Sequence, residues 1–324
     1  MENDICSMLK DQSICITGGA GIIGSRLASR LLKCNAKKVV AIGRRQLSNN
    51  NPLHHHHNYK YISANILDAK AMKRALEGST AVIHLASLKN AAHSKNEPLE
   101  YFKTNSFGTA SILDVCRSLK IKKIIYVSTS HVYGIPDQLP VDEKQSTSPI
   151  SIYASSKLSG ELKVQSYAAN FGLSCDIVRP ANIYGTANSE TVIGRAINQV
   201  INGEAIHLRN LKAVRDFVHV DDIAEALIRI LNTSKKESEC RIINVSSGKG
   251  ESVRKIASIL SQLAIDNKLG IIKIQEDNIP EQIMTFYMEN KYLKELTGWS
   301  PQINLGKGLS FAFQEFLQNK LEEK

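Results

Sequence analysis

The sequence predicts an α/β protein, a doubly wound parallel sheet with a smaller, discontinuous C-terminal lobe. Three observations lead there. Short apolar runs alternate with helical patterns through the first half of the chain. The first run, Ser13-Ile-Cys-Ile-Thr17, ends in Gly18-Gly-Ala-Gly21-Ile-Ile-Gly24, and an amphipathic stretch, Ile22 to Leu32, follows at once. The second half is less regular, with helical patterns and only short strands.

Strand, tight glycine turn and helix form the context of a dinucleotide-binding turn in a Rossmann-type sheet. Gly18 and Gly21 let the backbone turn sharply and approach a pyrophosphate without Cβ clashes. Gly24 lets the first helix pack closely. The helix start at Ile22 and Ile23 offers free N–H groups and a positive dipole end to the phosphates.

The remaining strands of the first half fall at Lys38–Ile42, Tyr59–Ile62, Ala81–Leu85, Ile124–Val127 and Ser174–Val178, with helices such as Glu100–Leu119 and Ile152–Phe171 between them. Thr191–Asn202, Asp221–Leu231, Ser252–Leu263 and Gly306–Leu317 read as helices of the second half. Short strands lie near Ile242–Val245 and Ile271–Ile274. The expected division is a dinucleotide-binding domain over 1–180 plus about 216–245, and a substrate-binding lobe over about 181–215 and 246–324. No internal repeat is present.

Composition narrows the function classes. The 324 residues are 43% apolar, an ordinary globular value. No apolar run reaches the length of a membrane span, and Met1–Asp11 carries no signal-peptide pattern, so the expected compartment is the cytoplasm. The formal net charge is +10, but the basic residues are spread and aromatics are few, which excludes a nucleic-acid patch. A cleft for anionic ligands accounts for part of the excess. The six cysteines, Cys6, Cys15, Cys34, Cys116, Cys175 and Cys240, lie far apart and are expected to be reduced thiols. Gln46 to Asn58 is a polar loop with four adjacent histidines, His54 to His57. Adjacent loop side chains do not preorganise a tetrahedral site, so no metal is expected.

The end of the second strand should read the cofactor's adenosine ribose. A carboxylate there selects NAD. The chain has Gly43-Arg44-Arg45 instead, and Arg44 and Arg45 can clasp a 2′-phosphate. The expected cofactor is NADP, with NAD as the alternative. Tyr153-Ala-Ser-Ser-Lys157 places a phenol and an ammonium one helical turn apart. A neighbouring cation should lower the phenol's pKa and fit it to exchange a proton with an alcohol oxygen while a nicotinamide exchanges hydride. Ser128-Thr129-Ser130-His131 ends the preceding strand, where open parallel sheets place catalytic groups.

Together these residues resemble the extended short-chain dehydrogenase/reductases, specifically the nucleotide-sugar epimerase/dehydratase group. Five further stretches carry the likeness in order: Val82-Ile-His-Leu-Ala-Ser87, Lys103-Thr-Asn-Ser-Phe-Gly-Thr109, Val178-Arg-Pro-Ala-Asn-Ile-Tyr-Gly185, Arg215-Asp-Phe-Val-His-Val-Asp-Asp222 and Gly298-Trp-Ser-Pro301. The resemblance implies roles by position. Tyr153 is the catalytic acid/base, Lys157 its partner and Thr129 the anchor of the sugar oxygen. Gly18, Gly21 and Gly24 hold the pyrophosphate, and Asn65 and Ile66 flank the adenine. Leu85, Ala86, Ser87, Lys89, Asn105 and Pro180 lie beside the cofactor. Ser130, His131, Asn182 and Arg215 face a nucleotide-diphosphate sugar. Asn65, His84 and Asn105 can also serve only as supports, and Asp216 and His219 read as structural. The resemblance further implies a homodimer, paired through the helix after Asn96 and the helix holding Tyr153.

Ser130-His131 stands where 4,6-dehydratases carry an Asp–Glu pair, so elimination of water lacks its acid and base. The sequence therefore reads first as an NADPH-dependent 4-keto-sugar reductase acting at C4 of a nucleotide-linked hexose. The alternative is a 4-epimerase with tightly bound NAD, which Lys89 in Ala-Ser-Leu-Lys keeps open. A cofactor-sensing scaffold would not need Tyr153 and Lys157, and a non-sugar reductase would not need Arg215.

Overall fold

The computed structural model describes residues 6–47, 51–186, 191–234, 237–277 and 282–322. Ser48 to Asn50 of the polar loop and the first five residues lie outside them.

Seven strands form one parallel sheet: β1 (Ser13–Thr17), β2 (Lys38–Gly43), β3 (Tyr59–Ser63), β4 (Ala81–His84), β5 (Lys123–Val127), β6 (Ser174–Pro180) and β7 (Cys240–Val245). Their spatial order is β7-β6-β5-β4-β1-β2-β3. The chain winds outward from β1 to β3 and then returns to β4 on the other side of β1. The crevice at the C-terminal ends of β1 and β4 is the topological switch point, where such sheets bind ligands.

Alternation sorts the strands onto two cores. Ile14 and Ile16 of β1, with Ile125 and Val127 of β5, pack on one face against α1 (Ile22–Lys33) and Val220–Leu231, through Leu27, Leu31, Ile223 and Leu227. Cys15, Ile124 and Tyr126 point to the other face. There they meet Leu76 of α2 (Ala69–Leu76) and residues of the helices that follow β4 and β5. α3 (Pro98–Phe102) and a π-helical turn at Lys103–Phe107 lead into α4 (Gly108–Ser118), which joins that core together with α5 (Ile152–Phe171). Ser151 caps α5 by accepting from Ala154 N at 3.1 Å, and Gly172, at φ +69°, ends it.

A third core forms the smaller lobe. It joins α6 (Val192–Ile201), Ile206–Arg209, the helix Val253–Asp266 and the helix Leu305–Glu322 through Ile197, Val200, Leu208, Leu260, Leu309 and Phe313. Phe286, Met288, Leu293 and Trp299 return to the core under the sheet, so the segment after residue 246 contributes to both bodies. The strand expected at Ile271–Ile274 instead runs Ile274–Asp277, in parallel with Ile206–Arg209. Gly270 turns at φ +91° and leaves Ile271 91% exposed, so its apolar side chain signals no buried strand.

The reduced state expected for all six cysteines is corrected at one pair. Cys6 and Cys34 form a disulfide with Cα atoms 4.5 Å apart, within disulfide reach. Fully buried Leu9 docks the N-terminal segment on the core beside α1, which carries Cys6 to the C-cap of that helix at Cys34. Cys15, Cys116 and Cys175 are buried and lie outside any disulfide.

Two buried ion pairs stitch the far side of the sheet. Asp176 of β6 accepts from Arg241 of β7 at 2.7 Å and 3.2 Å. Glu161 of α5 accepts from Arg179 of β6 at 3.1 Å and 2.6 Å, and the two side chains are only 1% and 3% exposed. Removing one partner of such a pair strands a buried charge and costs about 3–5 kcal/mol. Glu161→Ala is expected to lower the unfolding free energy by that amount in urea titration. Asp114→Ala, which breaks the exposed pair with Arg117, should change it by less than about 1 kcal/mol.

Candidate active site

The glycine turn lies where β1 meets α1. Gly18 has φ +73°, and a Cβ there would sit 2.8 Å from Ala86 N. The end of β4 thus packs directly on the turn, with Leu85 N donating to Thr17 O at 3.0 Å and Ala86 N to Thr17 Oγ1 at 3.3 Å. A Cβ at Gly24 would strike the Gly18 carbonyl oxygen and lie 2.7 Å from Gly19 Cα. α1 begins at Gly21 with no side-chain cap and no acidic residue in its first turn. The amides at its start, around Ile22 and Ile23, are therefore open to an anion. A cradle that Cβ atoms would fill, at an uncapped helix N-terminus, fits a dinucleotide pyrophosphate.

At the ribose end, Arg44 and Arg45 are exposed, and neither guanidinium has a partner among the described residues. Their backbone is fixed by β3, since Ser63 Oγ donates to Arg44 O at 3.3 Å and Tyr61 Oη to Arg45 O at 2.5 Å. Asn65 is exposed and holds its own turn by accepting from Leu67 N at 3.1 Å, while Ile66 is buried against Gly108. Ser87 is half-buried and Lys89 exposed in the loop after β4, and Pro180 ends β6 opposite Val245.

The side chains expected to be catalytic converge from β5 and α5. Thr129 follows the end of β5 and caps the single helical turn Ser130–Tyr133, accepting from His131 N at 3.3 Å. Tyr153 sits in the first turn of α5, its backbone N bonded to Ser94 Oγ at 3.2 Å, and its phenol neighbours the Thr129 hydroxyl. Lys157, one turn on and 1% exposed, donates from Nζ to Val127 O at 2.7 Å and lies 4.2 Å from the centre of the Tyr126 ring.

The electrostatics correct one expectation. Burial pushes the Tyr153 phenol up to about 12, only partly offset by the neighbouring Thr129 hydroxyl. Burial also brings Lys157 down to about 7 against the pull of Glu161. The ammonium is turned to the β5 carbonyl and the Tyr126 ring, so desolvation of the phenol outweighs it. Tyr153 keeps its proton at neutral pH, the state that can give one to a keto oxygen.

On the substrate side, Asn182 Nδ2 donates to Asp216 O at 2.9 Å. Arg215 Nη1 reaches Val214 O at 2.9 Å and Met284 O at 3.1 Å, and Nη2 reaches Ile283 O at 2.7 Å, which pins the guanidinium's direction. Ser130 is buried, whereas His131 opens to the crevice with its ring centre 6.1 Å from that of Tyr153.

Asn105 differs from its expected cofactor contact. It is fully buried, with its amide spent on Leu88 O at 2.9 Å, Leu88 N at 2.8 Å and Ser156 Oγ at 2.9 Å. It braces the loop after β4 against α5. His84 is a support too, bonded to Thr17 at 2.6 Å and Thr109 at 3.1 Å, and burial lowers it to about 3. Asp216 accepts from Ser247 and Met288 amides as an internal brace.

Sequence reasoning passed over Tyr126, Glu161 and Ser94. Tyr126 reads as one more apolar residue of a buried strand. Glu161 carried a usable signal, standing four residues after Lys157 on the same helical face.

A profile of the NAD dependent epimerase/dehydratase family matches residues 14–246. The chain is 30% identical over 307 residues to a putative UDP-glucose 4-epimerase of Methanocaldococcus jannaschii, covering 91% of this chain and 95% of that protein. Among solved structures it is similar to a UDP-glucose 4-epimerase of Thermotoga maritima with UDP-glucose, at 26% identity and TM-score 0.85 over 95% of this chain and 99% of that one. It is also similar to a UDP-glucuronic acid 4-epimerase of Bacillus cereus in complex with UDP-glucuronic acid and NAD, at 26% identity and TM-score 0.87 over the same shares, 95% and 99%. With the glycine cradle, Tyr153, Lys157 and Thr129 in one crevice, the chain belongs to the NAD-dependent epimerase/dehydratase family, enzymes of the short-chain dehydrogenase/reductase type.

Proposed function

We propose that this enzyme is a nucleotide-sugar 4-epimerase, and that its substrate is a UDP-hexose. The observation that carries the reading is the juxtaposition of Tyr153 and Thr129 at the end of β5, beside buried Lys157 and in a crevice bordered by the glycine cradle. The 4-epimerases among the relatives support the epimerase over the ketoreductase that the sequence suggested first.

In this reading the glycine turn and the start of α1 hold the pyrophosphate of the cofactor. The bound nicotinamide supplies the site that takes hydride from C4 and returns it to the opposite face. Once ionised to phenolate, a step whose cost the Thr129 hydroxyl and Lys157 lower, Tyr153 Oη accepts the proton of the C4 hydroxyl as the ketone forms and gives it back as the alcohol is restored. Thr129 Oγ1 holds that oxygen. Lys157 supplies positive charge beneath the phenol, and Arg215 and Asn182 face the diphosphate.

A second reading, the NADPH-dependent 4-keto-sugar reductase, is favoured by Arg44 and Arg45, two unpartnered guanidiniums where a carboxylate would select NAD. The retained nucleotide divides the two. NAD carried through purification supports the epimerase, and exchangeable NADPH supports the reductase. A contact from Arg44 to a 2′-phosphate is worth about 1.5–3 kcal/mol, roughly ten- to a hundredfold in affinity. Arg44→Ala should then weaken NADP and spare NAD in a binding titration. Equal loss for both would remove the phosphate-reading role.

Tyr153→Phe keeps the ring and removes the transferable proton. Epimerisation of UDP-glucose, UDP-N-acetylglucosamine or UDP-glucuronic acid should fall about 10²–10⁴-fold with folding intact. Lys157→Met should lower turnover and, combined with Tyr153→Phe, cost less than the sum, since both act on one proton. Near-normal turnover of Tyr153→Phe would sink the mechanism.

Pairing into a homodimer is part of the proposal. Leu99, Phe107 and Leu162 are exposed large apolar side chains on α3, the π-turn and α5, at 81%, 65% and 59%. Light scattering should give a dimer mass at micromolar concentration, and Phe107→Lys with Leu162→Lys should give a monomer. A wild-type monomer would refute it.

A further inference from the structure

His131 is an imidazole of the site that the fold holds in place without using. It lies on the single helical turn Ser130–Tyr133, between buried Ser130 and Val132, and its backbone N is tied to Thr129 Oγ1 at 3.3 Å. Gly134 closes that turn at φ +71°, where a Cβ would run into the Ser148 carbonyl. The side chain opens to the crevice and meets Tyr153 edge to face at 6.1 Å and 75°. Neither ring nitrogen has a hydrogen-bond partner among the described residues, whereas His84 spends both of its own on Thr17 and Thr109. The surrounding atoms and the charge of Arg215 lower its pKa, which favours the neutral ring.

We propose that His131 is a second acid/base of this site, one that removes and returns the proton on a sugar carbon next to C4 while C4 is a ketone. The step rests on the hydride-transfer reading above and needs no further oxidant. A ketone at C4 acidifies the hydrogens on both neighbouring carbons. An imidazole nitrogen takes one of them, the C–H electron pair becomes the enolate double bond, and the carbonyl pair moves onto the oxygen held by Tyr153 and Thr129. Return of the proton restores the ketone. Exchange of the imidazolium proton with water in between labels that carbon, and return from the opposite face inverts it. A lone imidazole, in place of a paired acid and carboxylate, fits proton exchange without loss of water.

The test supplies the ketone ready-made. The purified holoenzyme is incubated with UDP-4-keto-6-deoxyglucose in D2O, and deuterium is read by mass spectrometry and placed at C3 or C5 by NMR. Wild type should incorporate one deuterium at a single carbon at least about a hundredfold faster than buffer alone, in line with a general base. His131→Asn and His131→Gln should both fall to the buffer rate, their folding checked by circular dichroism. No exchange by the wild type, or undiminished exchange by either folded variant, overturns the proposal. Epimerisation of UDP-glucose, followed in parallel, reports separately on hydride transfer, so failure of that reading and failure of His131 are told apart.

Discussion

A single carboxylate, Glu161, compensates two cations buried beneath α5. Arg179 grips it in a two-pronged ion pair from β6, and its charge opposes the desolvation of Lys157 one turn earlier on the same helix. An ion taken out of water without a partner costs several kcal/mol, so α5 cannot slide along the sheet without exposing that cost. Lys157 is fixed again by Val127 O and the Tyr126 ring. The relation between Tyr153 and Thr129 follows. Tyr153 is one turn before Lys157 on the helix, and Thr129 is two residues beyond Val127 on the strand. The pairing of phenol and hydroxyl is therefore set by charges that never touch a substrate.

The same electrostatics shape the chemistry. A phenol near 12 and an amine near 7 are both shifted toward their neutral forms by burial. The phenol thus holds its proton while the amine gives up its own more readily, and in the proposed oxidising direction the Thr129 hydroxyl and the remaining ammonium lower the cost of forming phenolate. Such a site suits a reaction that runs both ways through a ketone, because the proton taken from the C4 hydroxyl is the one handed back.

Much of the fold was legible because its devices are local. A backbone at φ +73° demands glycine at residue 18, and a spacing of four places Tyr153 and Lys157 on one helical face. The alternation of Ile14, Cys15 and Ile16 between two cores is the same kind of signal. What stayed hidden depends on contacts between distant segments. Cys6 and Cys34 are 28 residues apart in sequence, and only the docking of Leu9 brings them together. Asn105 carries a family motif, yet its amide turns inward because the π-turn aims it at Leu88 and Ser156. The sign of the Tyr153 shift was misread for the same reason. Spacing gives the distance to a cation, but burial decides which of two opposing effects wins.

The adenosine end shows how packing and recognition can be confounded at one residue. A side chain at Gly43 would collide with the Tyr61 hydroxyl, which itself ties down the carbonyl of Arg45. The glycine at the end of β2 thus also makes room for the Tyr61 hydroxyl of the neighbouring strand, which would have to shift to admit a side chain. The two guanidiniums beyond it are exposed, and contacts made by exposed charges are screened and individually weak. A 2′-phosphate would strengthen them by offering a dianion with several acceptors, whereas a plain ribose would gain little from them. In the proposed reading, discrimination at this end rests on Arg44 and Arg45, with no carboxylate at Gly43 to exclude the phosphate. That arrangement permits NADP without forbidding NAD, in keeping with the NAD found in a neighbour of the same fold.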